Sequence, residues 1–501
     1  MVEEPTAAAA SPSVERTGDE GRDGRKRLSQ AVVVIHGMGE QRPMSTLRSL
    51  VDVVWNSDLS LTEPWSTKRT TDPQTGKEIN RSWIVPDSRT GSHELRRITT
   101  VADIDGRRVD FYELYWADLL QGNVFGHLIS WIRGLLLRRW SSVPPDARPF
   151  YVALWIVLLL SVLPAVVLWT MGVSGADRWI FPAAVWTGLA AVIGLVVTTW
   201  VLPVYGDVAT YVLTEPGTVG KRADVRARGT ILLEKLMEDP AYDRIVVVAH
   251  SLGSIIAYDL LQILWAKYGP SHRNPRPEPA VTDALKAFDV FASPAVLAAG
   301  TDPLLPPGQL PAFRAAQWRL YQALRAVPRN VRGTASREVL PWKISDFVTL
   351  GSPLSHAEFL VARDAAKWRK GVEERVFSVC PPISDSETKR TIVYKAHHAH
   401  HASVFAATRW TNIYDLGNLW STGDPFSGPM RENFYGGTKE MHVRLRWRLW
   451  GMPMRLITHT HYWSPTAKGD EIGEDGRPTG RDQFAVLREA IDLRRVEGDA
   501  A

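Results

Sequence analysis

Residues 245–258 read IVVVAHSLGSIIAY. The β-branched run stops at a small-x-Ser-x-Gly turn, and the residues after it are typical of a buried helix. Ser251 is therefore predicted on a tight strand-to-helix turn. Ala249 and Gly253 suit such a turn because the strand and helix backbones cross close to the serine. On this segment alone, a buried serine that caps an ordinary helix remains an alternative.

Composition indicates a folded protein and argues against nucleic-acid binding. The chain has 501 residues, 45% of them hydrophobic, and its net charge of +5 comes from 59 basic against 54 acidic residues. No long basic block is present, so nucleic acid is not predicted as a partner. The single cysteine, Cys380, excludes a disulfide framework and favours a reducing compartment. The 20 tryptophans suit contact with a membrane interface, where Trp is favoured.

The first part of the chain predicts a tail followed by a buried strand. Residues 1–29 contain few large apolar side chains, so we expect them to be disordered. Residues 31–35, AVVVI, are typical of a parallel strand that is covered on both faces. The HGMG sequence that follows, residues 36–39, would free backbone N–H groups for a ligand, although a plain glycine turn has the same pattern.

Residues 128–205 predict a membrane-associated segment. Residues 128–140 mix apolar side chains with arginines, as an interfacial helix does. Residues 150–173 and 179–205 contain no Asp, Glu, Lys, Arg or His, and each exceeds the roughly 20 residues needed to span a bilayer. We therefore expect a transmembrane hairpin with both ends on one side, and the flanking arginines place the remaining chain in the cytoplasm. Two buried helices of a soluble core are the alternative.

Three later segments place polar residues at the ends of predicted strands. Residues 346–350 precede GSPL, residues 410–415 open a loop that leads to GDPF at 423–426, and residues 454–458 precede HTHYW. A serine hydroxyl needs a base within hydrogen-bond reach and a third group that orients the base. The order Ser, Asp, His at the carboxyl ends of strands supplies these groups where open α/β sheets hold their sites.

Taken together, these blocks resemble the α/β-hydrolase-fold serine hydrolases of the lipase and esterase kind. The resemblance is carried by VVVIHGMG, VVVAHSLGS, FVTLGSPL, WTNIYD with GDPF, and THTHYW. It implies an α/β-hydrolase fold, a mostly parallel sheet covered by helices, here with the inserted two-helix transmembrane hairpin. The expected organisation begins with a tail at residues 1–29. The hydrolase domain would follow in three parts, at 30–127, 206–268 and 342–501, interrupted by the membrane segment at 128–205 and by an insertion or possible lid at 269–341.

The resemblance implies Ser251 as nucleophile, Asp424 as the orienting acid and His459 as general base. The H-[ST]-x-Y-W spacing selects His459, with His461 as the alternative base. Asp415 is the alternative acid.

The resemblance also implies an oxyanion hole. Its donors would be the backbone N–H of Leu252 and that of Met38 or Gly37 in the HGMG loop. His250, next to the nucleophile, is expected to be a packing residue. Glu113, on a strand-like stretch, is expected to be a charge near a sheet edge rather than a catalytic group.

The predicted function is hydrolysis of a carboxylic ester, or a thioester, through an acyl-enzyme. The predicted hairpin makes the lipid bilayer a partner and a lipophilic acyl ester the expected substrate. The alternatives are an acyltransferase with the same residues and a catalytically silent membrane-tethered scaffold. No cofactor and no metal are predicted, although His397 and His401 in the HHAHH cluster would share a helix face as metal ligands can.

Overall fold

The structure is a computed structural model that describes most of the chain outside residues 121–210. The described residues are 28–37, 42–120, 211–292, 305–327, 340–383 and 393–495, with gaps at 65, 90–95, 103, 105, 212–215, 272–275, 277, 363, 395–397, 417–422, 425, 450–451 and 455–457, and the isolated residues 137, 140, 143, 148, 151, 152, 155 and 159. The predicted tail, residues 1–29, lies almost wholly outside the described residues.

A mixed sheet forms the centre of the described chain. The strands are β1 Gln30–Ile35, β2 Arg69–Thr71, β3 Glu78–Asn80, β4 Ser82–Pro86, β5 Arg96–Thr100, β6 Val109–Leu114, β7 Arg244–His250, β8 Ile344–Leu350, β9 Val393–Tyr394, β10 His398–Ala399, β11 Arg409–Tyr414, β12 Lys439–Leu449, β13 Met452–Met454, β14 Lys468–Ile472 and β15 Pro478–Asp482. The sheet order is β15-β14-β12-β11-β8-β7-β1-β6-β5-β4, and β13 pairs with β12. β2 with β3 and β9 with β10 form separate two-stranded pairs.

The six strands from β6 to β12 in this order run parallel. β1, β6, β7 and β8 are buried along their whole length. The apolar runs of β1 and β7 are typical of parallel strands that are covered on both faces, whereas β6 and β8 also bury polar and charged residues. The pairing register aligns the carboxyl ends of β1, β6 and β7, because Ile35 lies opposite both Leu114 and Ala249. The segments that follow β1 and β7 therefore emerge side by side at the carboxyl edge of the sheet.

Antiparallel strands close both edges, so the sheet is less parallel than the sequence predicts. β4 and β5 pair antiparallel beyond β6, and β14 and β15 do so beyond β12. The connections between β4 and β5, between β5 and β6 and between β14 and β15 are too short for the crossover that a parallel pair needs. An α/β architecture is confirmed in general terms, as a mixed sheet rather than a mostly parallel one.

Helices cover both faces of the sheet. They are α1 Ser45–Val51, extended by a π-helical turn Asp52–Asn56, α2 Ala117–Leu120, α3 Pro216–Glu238, α4 Leu252–Tyr268, α5 Pro279–Ala292, α6 Leu310–Arg325, α7 Ala357–Leu360, α8 Ala365–Glu373, α9 Arg431–Phe434 and α10 Gln483–Ile491. Alternate residues of β1 divide the core: Val33 packs with α3 to α6, and Val32 packs with α1 and α10. The described part of 269–341 joins this core, since Phe288 of α5 packs on Phe313 of α6.

The predicted fold class is wrong in its membrane part. Within the described residues, no helix combines the length and apolar character that crossing a membrane requires. α3 has 23 residues but carries charges along its length, and the apolar α4 has only 17 and lies buried against the sheet. Residues 150–173 and 179–205 lie outside the described residues except for 151, 152, 155 and 159. The same finding contradicts the predicted localisation as a two-span membrane protein with a cytoplasmic catalytic domain.

Candidate active site

Ser251 lies on the turn between β7 and α4 in a strained conformation. Its φ is 52° and its ψ is −128°, a region that costs a residue with a side chain about 1–3 kcal/mol. Main-chain bonds hold it there: its N–H donates to Leu350 O at 3.0 Å, and its carbonyl accepts from the Ser254 N–H at 2.9 Å. The serine side chain makes no capping bond to α4, so the helix-cap alternative does not describe this residue.

Close backbone approach explains the small residue two positions after the serine. A Cβ at Gly253 would lie 2.4 Å from the carbonyl oxygens of both Ile35 and His36. The first turn of α4 therefore crosses directly over the end of β1. Any side chain at this position would push the turn away from the strand and displace Ser251.

The structure brings Ser251, His459 and Asp424 together in one hydrogen-bonded chain. Ser251 Oγ lies 2.7 Å from His459 Nε2. His459 Nδ1 lies 2.9 Å from both carboxylate oxygens of Asp424. Because a carboxylate only accepts, Nδ1 carries the proton and Nε2 is left to accept from the serine hydroxyl. All three residues are buried, with exposed fractions of 1% for Ser251, 6% for His459 and 0% for Asp424.

Asp424 is held as an oriented carboxylate. Its Oδ1 accepts from the Phe426 N–H at 2.9 Å and its Oδ2 from the Tyr462 hydroxyl at 2.8 Å. Burial alone would raise its pKa, but the attraction of His459 and these hydrogen bonds outweigh burial, so the pKa of Asp424 is lowered. The group is therefore set up to stay ionised and to fix the His459 tautomer.

His461, the alternative base, and Asp415, the alternative acid, contact other groups. The ring of His461 stacks on Trp447, with 5.4 Å between centroids. The carboxylate of Asp415 accepts from the Leu445 N–H at 3.2 Å and from Thr458 Oγ1 at 2.8 Å, and the Asp415 carbonyl accepts from the Asp424 N–H at 3.2 Å. Asp415 thus ties together the two segments that hold Asp424 and His459.

Two of the three residues expected to form an oxyanion hole, Leu252 and Gly37, lie within the described residues. Leu252 is the first residue of α4, where a backbone N–H has no intrahelical acceptor. Gly37 lies against the serine, since a Cβ there would come within 2.9 Å of the Ser251 Cβ. Met38, the other expected donor, lies outside the described residues. The two described positions flank the serine, as oxyanion donors must.

His36 anchors the start of this loop. Its Nδ1 donates to Gly37 O at 2.8 Å, and its carbonyl accepts from the Trp116 indole at 3.1 Å. The His36 and Trp116 rings stack with centroids 4.7 Å apart. Burial lowers the pKa of His36 to about 4, so the ring is neutral near pH 7. A neutral, stacked ring holds the Gly37 carbonyl in a fixed direction.

His250 and Tyr462 support the site in ways that the sequence does not predict. His250 Nε2 donates to the carbonyl of His459 at 2.6 Å, and the two rings lie 4.8 Å apart. Burial and the neighbouring His459 lower the pKa of His250 to about 3. His250 therefore binds the main chain of His459 rather than only filling space. The THTHYW block contains Tyr462, but nothing in the sequence indicates that its hydroxyl donates to Asp424.

Glu113 and His400 each bond to a main-chain group. Glu113 is buried on β6 rather than at a sheet edge, and its Oε2 accepts from the Met44 N–H at 2.5 Å. Burial raises the pKa of Glu113 to about 7. His397 is outside the described residues, and His400 Nε2 donates to Ile383 O at 2.8 Å. In the described part of the chain, no three His, Cys, Asp or Glu side chains are placed to hold a metal.

Comparison of the chain with protein-family models, with curated proteins and with solved structures gives no match. Functional inference therefore depends on the geometry around Ser251.

Proposed function

We propose that this protein is a serine hydrolase that cleaves carboxylic esters through an acyl-enzyme. One observation carries the proposal: the continuous hydrogen-bonded chain from Ser251 Oγ through His459 to Asp424, with the serine on a strained turn. A buried serine needs only one partner to satisfy its hydroxyl. A neutral histidine oriented by an ionised carboxylate supplies, in addition, the base that makes the hydroxyl nucleophilic.

The reaction follows from the positions of these groups. Ser251 Oγ bonds to the ester carbonyl carbon while its proton passes to His459 Nε2, and Asp424 stabilises the imidazolium. The N–H of Leu252 donates to the carbonyl oxygen as it becomes negative. When the carbon–oxygen bond breaks, His459 gives its proton to the departing alcohol and the acyl group remains on Ser251. Water, deprotonated by His459, then releases the acid and restores the serine.

A lipophilic substrate was expected because of the predicted membrane hairpin, and no described helix could form such a hairpin. A series of p-nitrophenyl esters with increasing acyl length is therefore the suitable assay for the described site.

The first prediction concerns the serine and the choice of histidine. We expect Ser251→Ala and His459→Ala each to lower kcat by at least about 10³-fold, since members of such a unit cannot replace one another. His461→Ala is the matched control and is expected to stay within a few fold of wild type. Circular dichroism confirms that each variant is folded. Full activity in Ser251→Ala, or loss in His461→Ala but not in His459→Ala, contradicts the proposal.

A further inference from the structure

A polar cavity lies at the amino ends of the parallel strands, on the other side of the sheet from the carboxyl ends that Ser251 follows. Its volume is about 410 Å³, within the range of small-molecule sites. It is lined by residues near the amino ends of β8, β11 and β12, together with the start of α6 and the end of α10; among them are Arg314, Asp346, Arg409, Lys439, Asp492 and Arg495. Because these strands are parallel, Ser251 follows their carboxyl ends and the cavity lies at their amino ends.

Arg409 is the central cation of this cavity. The residue is only 2% exposed, and its Nη2 pairs with Asp346 Oδ1 at 2.7 Å. Its Nε and Nη1 are buried and have no hydrogen-bond acceptor among the described residues. The guanidinium carbon lies 4.7 Å from the centre of the Trp318 ring. Since arginine stays charged, the two unpartnered N–H groups leave it incompletely compensated.

The same carboxylate also serves a second arginine. Arg244 Nη2 donates to Asp346 Oδ2 at 2.6 Å, and Arg244 is fully buried. Burial alone would raise the pKa of Asp346, but Arg409 and Arg244 outweigh it and lower the pKa. One carboxylate thus faces two guanidinium groups, which leaves a positive charge next to the cavity.

Arg314 adds a cation without a carboxylate partner in the described part of the chain. Its N–H groups donate to Trp410 O at 3.0 Å and to Thr411 Oγ1 at 3.4 Å. Burial and the nearby charge of Arg409 lower the pKa of Arg314 to about 10. A bound anion would relieve both effects by pairing with the two guanidinium groups.

The described residues that line the cavity include four cations and three carboxylates, and Arg244 next to the cavity is a fifth cation. The carboxylates are Asp346, which faces Arg244 and Arg409; Asp492, whose Oδ2 lies 3.0 Å from Arg495 Nε; and Glu489, which pairs with Lys439. Arg314 is the remaining cation. A phosphate monoester carries nearly two negative charges at neutral pH, and its oxygens match the planar fork of a guanidinium.

We propose that this cavity binds a phosphate monoester, with the phosphate held by Arg314 and Arg409. The volume exceeds that of inorganic phosphate and leaves room for the attached group. The proposal is independent of the ester hydrolysis proposed at Ser251.

Titration calorimetry of the full chain with inorganic phosphate tests this site, at pH 7.5 and constant ionic strength. We expect saturable binding that is weakened at least about tenfold in Arg314→Gln. Arg228→Gln is the matched control: it removes the same charge from α3, where Arg228 pairs with Asp118, and it should bind phosphate as wild type does. If Arg314→Gln does not fold, Arg314→Lys keeps the charge, loses the fork and should bind at least about threefold more weakly.

Three results would overturn the assignment. One is the absence of saturable phosphate binding to the wild-type protein. Another is equal phosphate affinity in the wild type and in a folded Arg314 variant. The third is acetate binding as tightly as phosphate, because a carboxylate would then be the preferred anion.

Discussion

Ser251 combines the strain and the chemistry of the proposed site in one residue. Its positive φ turns the side chain out of the β7–α4 junction, and its Oγ then meets His459 Nε2 at 2.7 Å. The strain persists because neighbouring main-chain groups hold both its N–H and its carbonyl. Strained backbone of this kind is concentrated at functional sites, which supports a catalytic rather than a packing role.

His250 makes protein stability depend on pH in a predictable direction. Its pKa falls from the ordinary 6.5 to about 3 in the folded state, because of burial and the neighbouring His459. Between these values the unfolded chain binds more protons than the folded one, so this residue's contribution to stability is complete above pH 6.5 and is lost as the pH falls.

The variant His250→Gln isolates this effect, because glutamine retains an N–H donor but does not titrate. We expect the variant to be less stable than wild type at pH 7.5. The difference in unfolding free energy should shrink by about 2 kcal/mol by pH 5, since each pH unit below 6.5 is worth about 1.4 kcal/mol. Urea unfolding at the two pH values measures it. A difference that does not change with pH contradicts the assignment.

At the level of residues, the sequence predicted three groups of the type and order that the proposed chemistry requires. Ser251, Asp424 and His459 each follow a recognisable strand and turn, and the structure brings them within hydrogen-bond distance. The support from His250 and Tyr462 could not be predicted, because it depends on which backbone atoms the folded chain places next to each side chain. Sequence spacing contains no such distances.

At the level of elements, the residues that follow β8 contact both Asp424 and the turn that holds Ser251. Gly351 directly follows β8 and has a φ of +57°. A Cβ there would lie 2.9 Å from Asp424 Oδ2 and 3.3 Å from His459 Nδ1. The next residue, Ser352, bonds through its Oγ to Ser254 Oγ at 2.6 Å, and Ser254 Oγ donates to Ser251 O at 2.5 Å. The GSPL block therefore contacts the site from two sides.

Comparing Gly351→Ala with a control variant should distinguish the stability cost of a positive φ from a loss of activity caused by displacing Asp424. We expect kcat for p-nitrophenyl esters to fall by about 10²-fold, because the added methyl group displaces the carboxylate that orients His459. Gly76→Ala is the matched control, since Gly76 also has a positive φ, +67°, but its Cβ would meet nothing within 4 Å. Both variants should lose about 1–2 kcal/mol of stability from the positive φ. Gly351→Ala should lose more, because its Cβ would also lie 2.7 Å from Tyr462 Cε2, and only Gly351→Ala should lose activity. Equal activity in the two variants would contradict a role for this contact.

Element predictions succeeded where hydrophobic pattern alone determines structure. The buried strands β1 and β7 coincide with continuous apolar runs, and β8 contains the predicted strand 346–350. The antiparallel edge strands β14 and β15 were not predicted, because Lys468–Ile472 and Pro478–Asp482 carry mostly polar residues and depend on pairing rather than on burial. The transmembrane hairpin was predicted from apolar length, and no described helix has the required properties.

At the level of the whole molecule, the two proposed sites lie at the two ends of the parallel strands in the central part of the sheet. The Ser251 site lies beyond the carboxyl ends of the strands, where loops converge in open α/β sheets. The phosphate cavity lies at the amino ends, where Asp346 and Arg409 belong to neighbouring strands in register. Substitutions in one site should therefore leave the other intact, and Arg314→Gln should retain the esterase activity of wild type.

The most direct measurement for the central claim is labelling of the purified protein with a fluorophosphonate, which bonds covalently to an activated serine. We predict one equivalent of label by intact mass, located on Ser251 by peptide mapping. Ser251→Ala should remain unlabelled, and labelling of His459→Ala should be slower by orders of magnitude because the hydroxyl has lost its base. A folded wild-type protein that stays unlabelled, or that carries the label on another residue, would contradict the account.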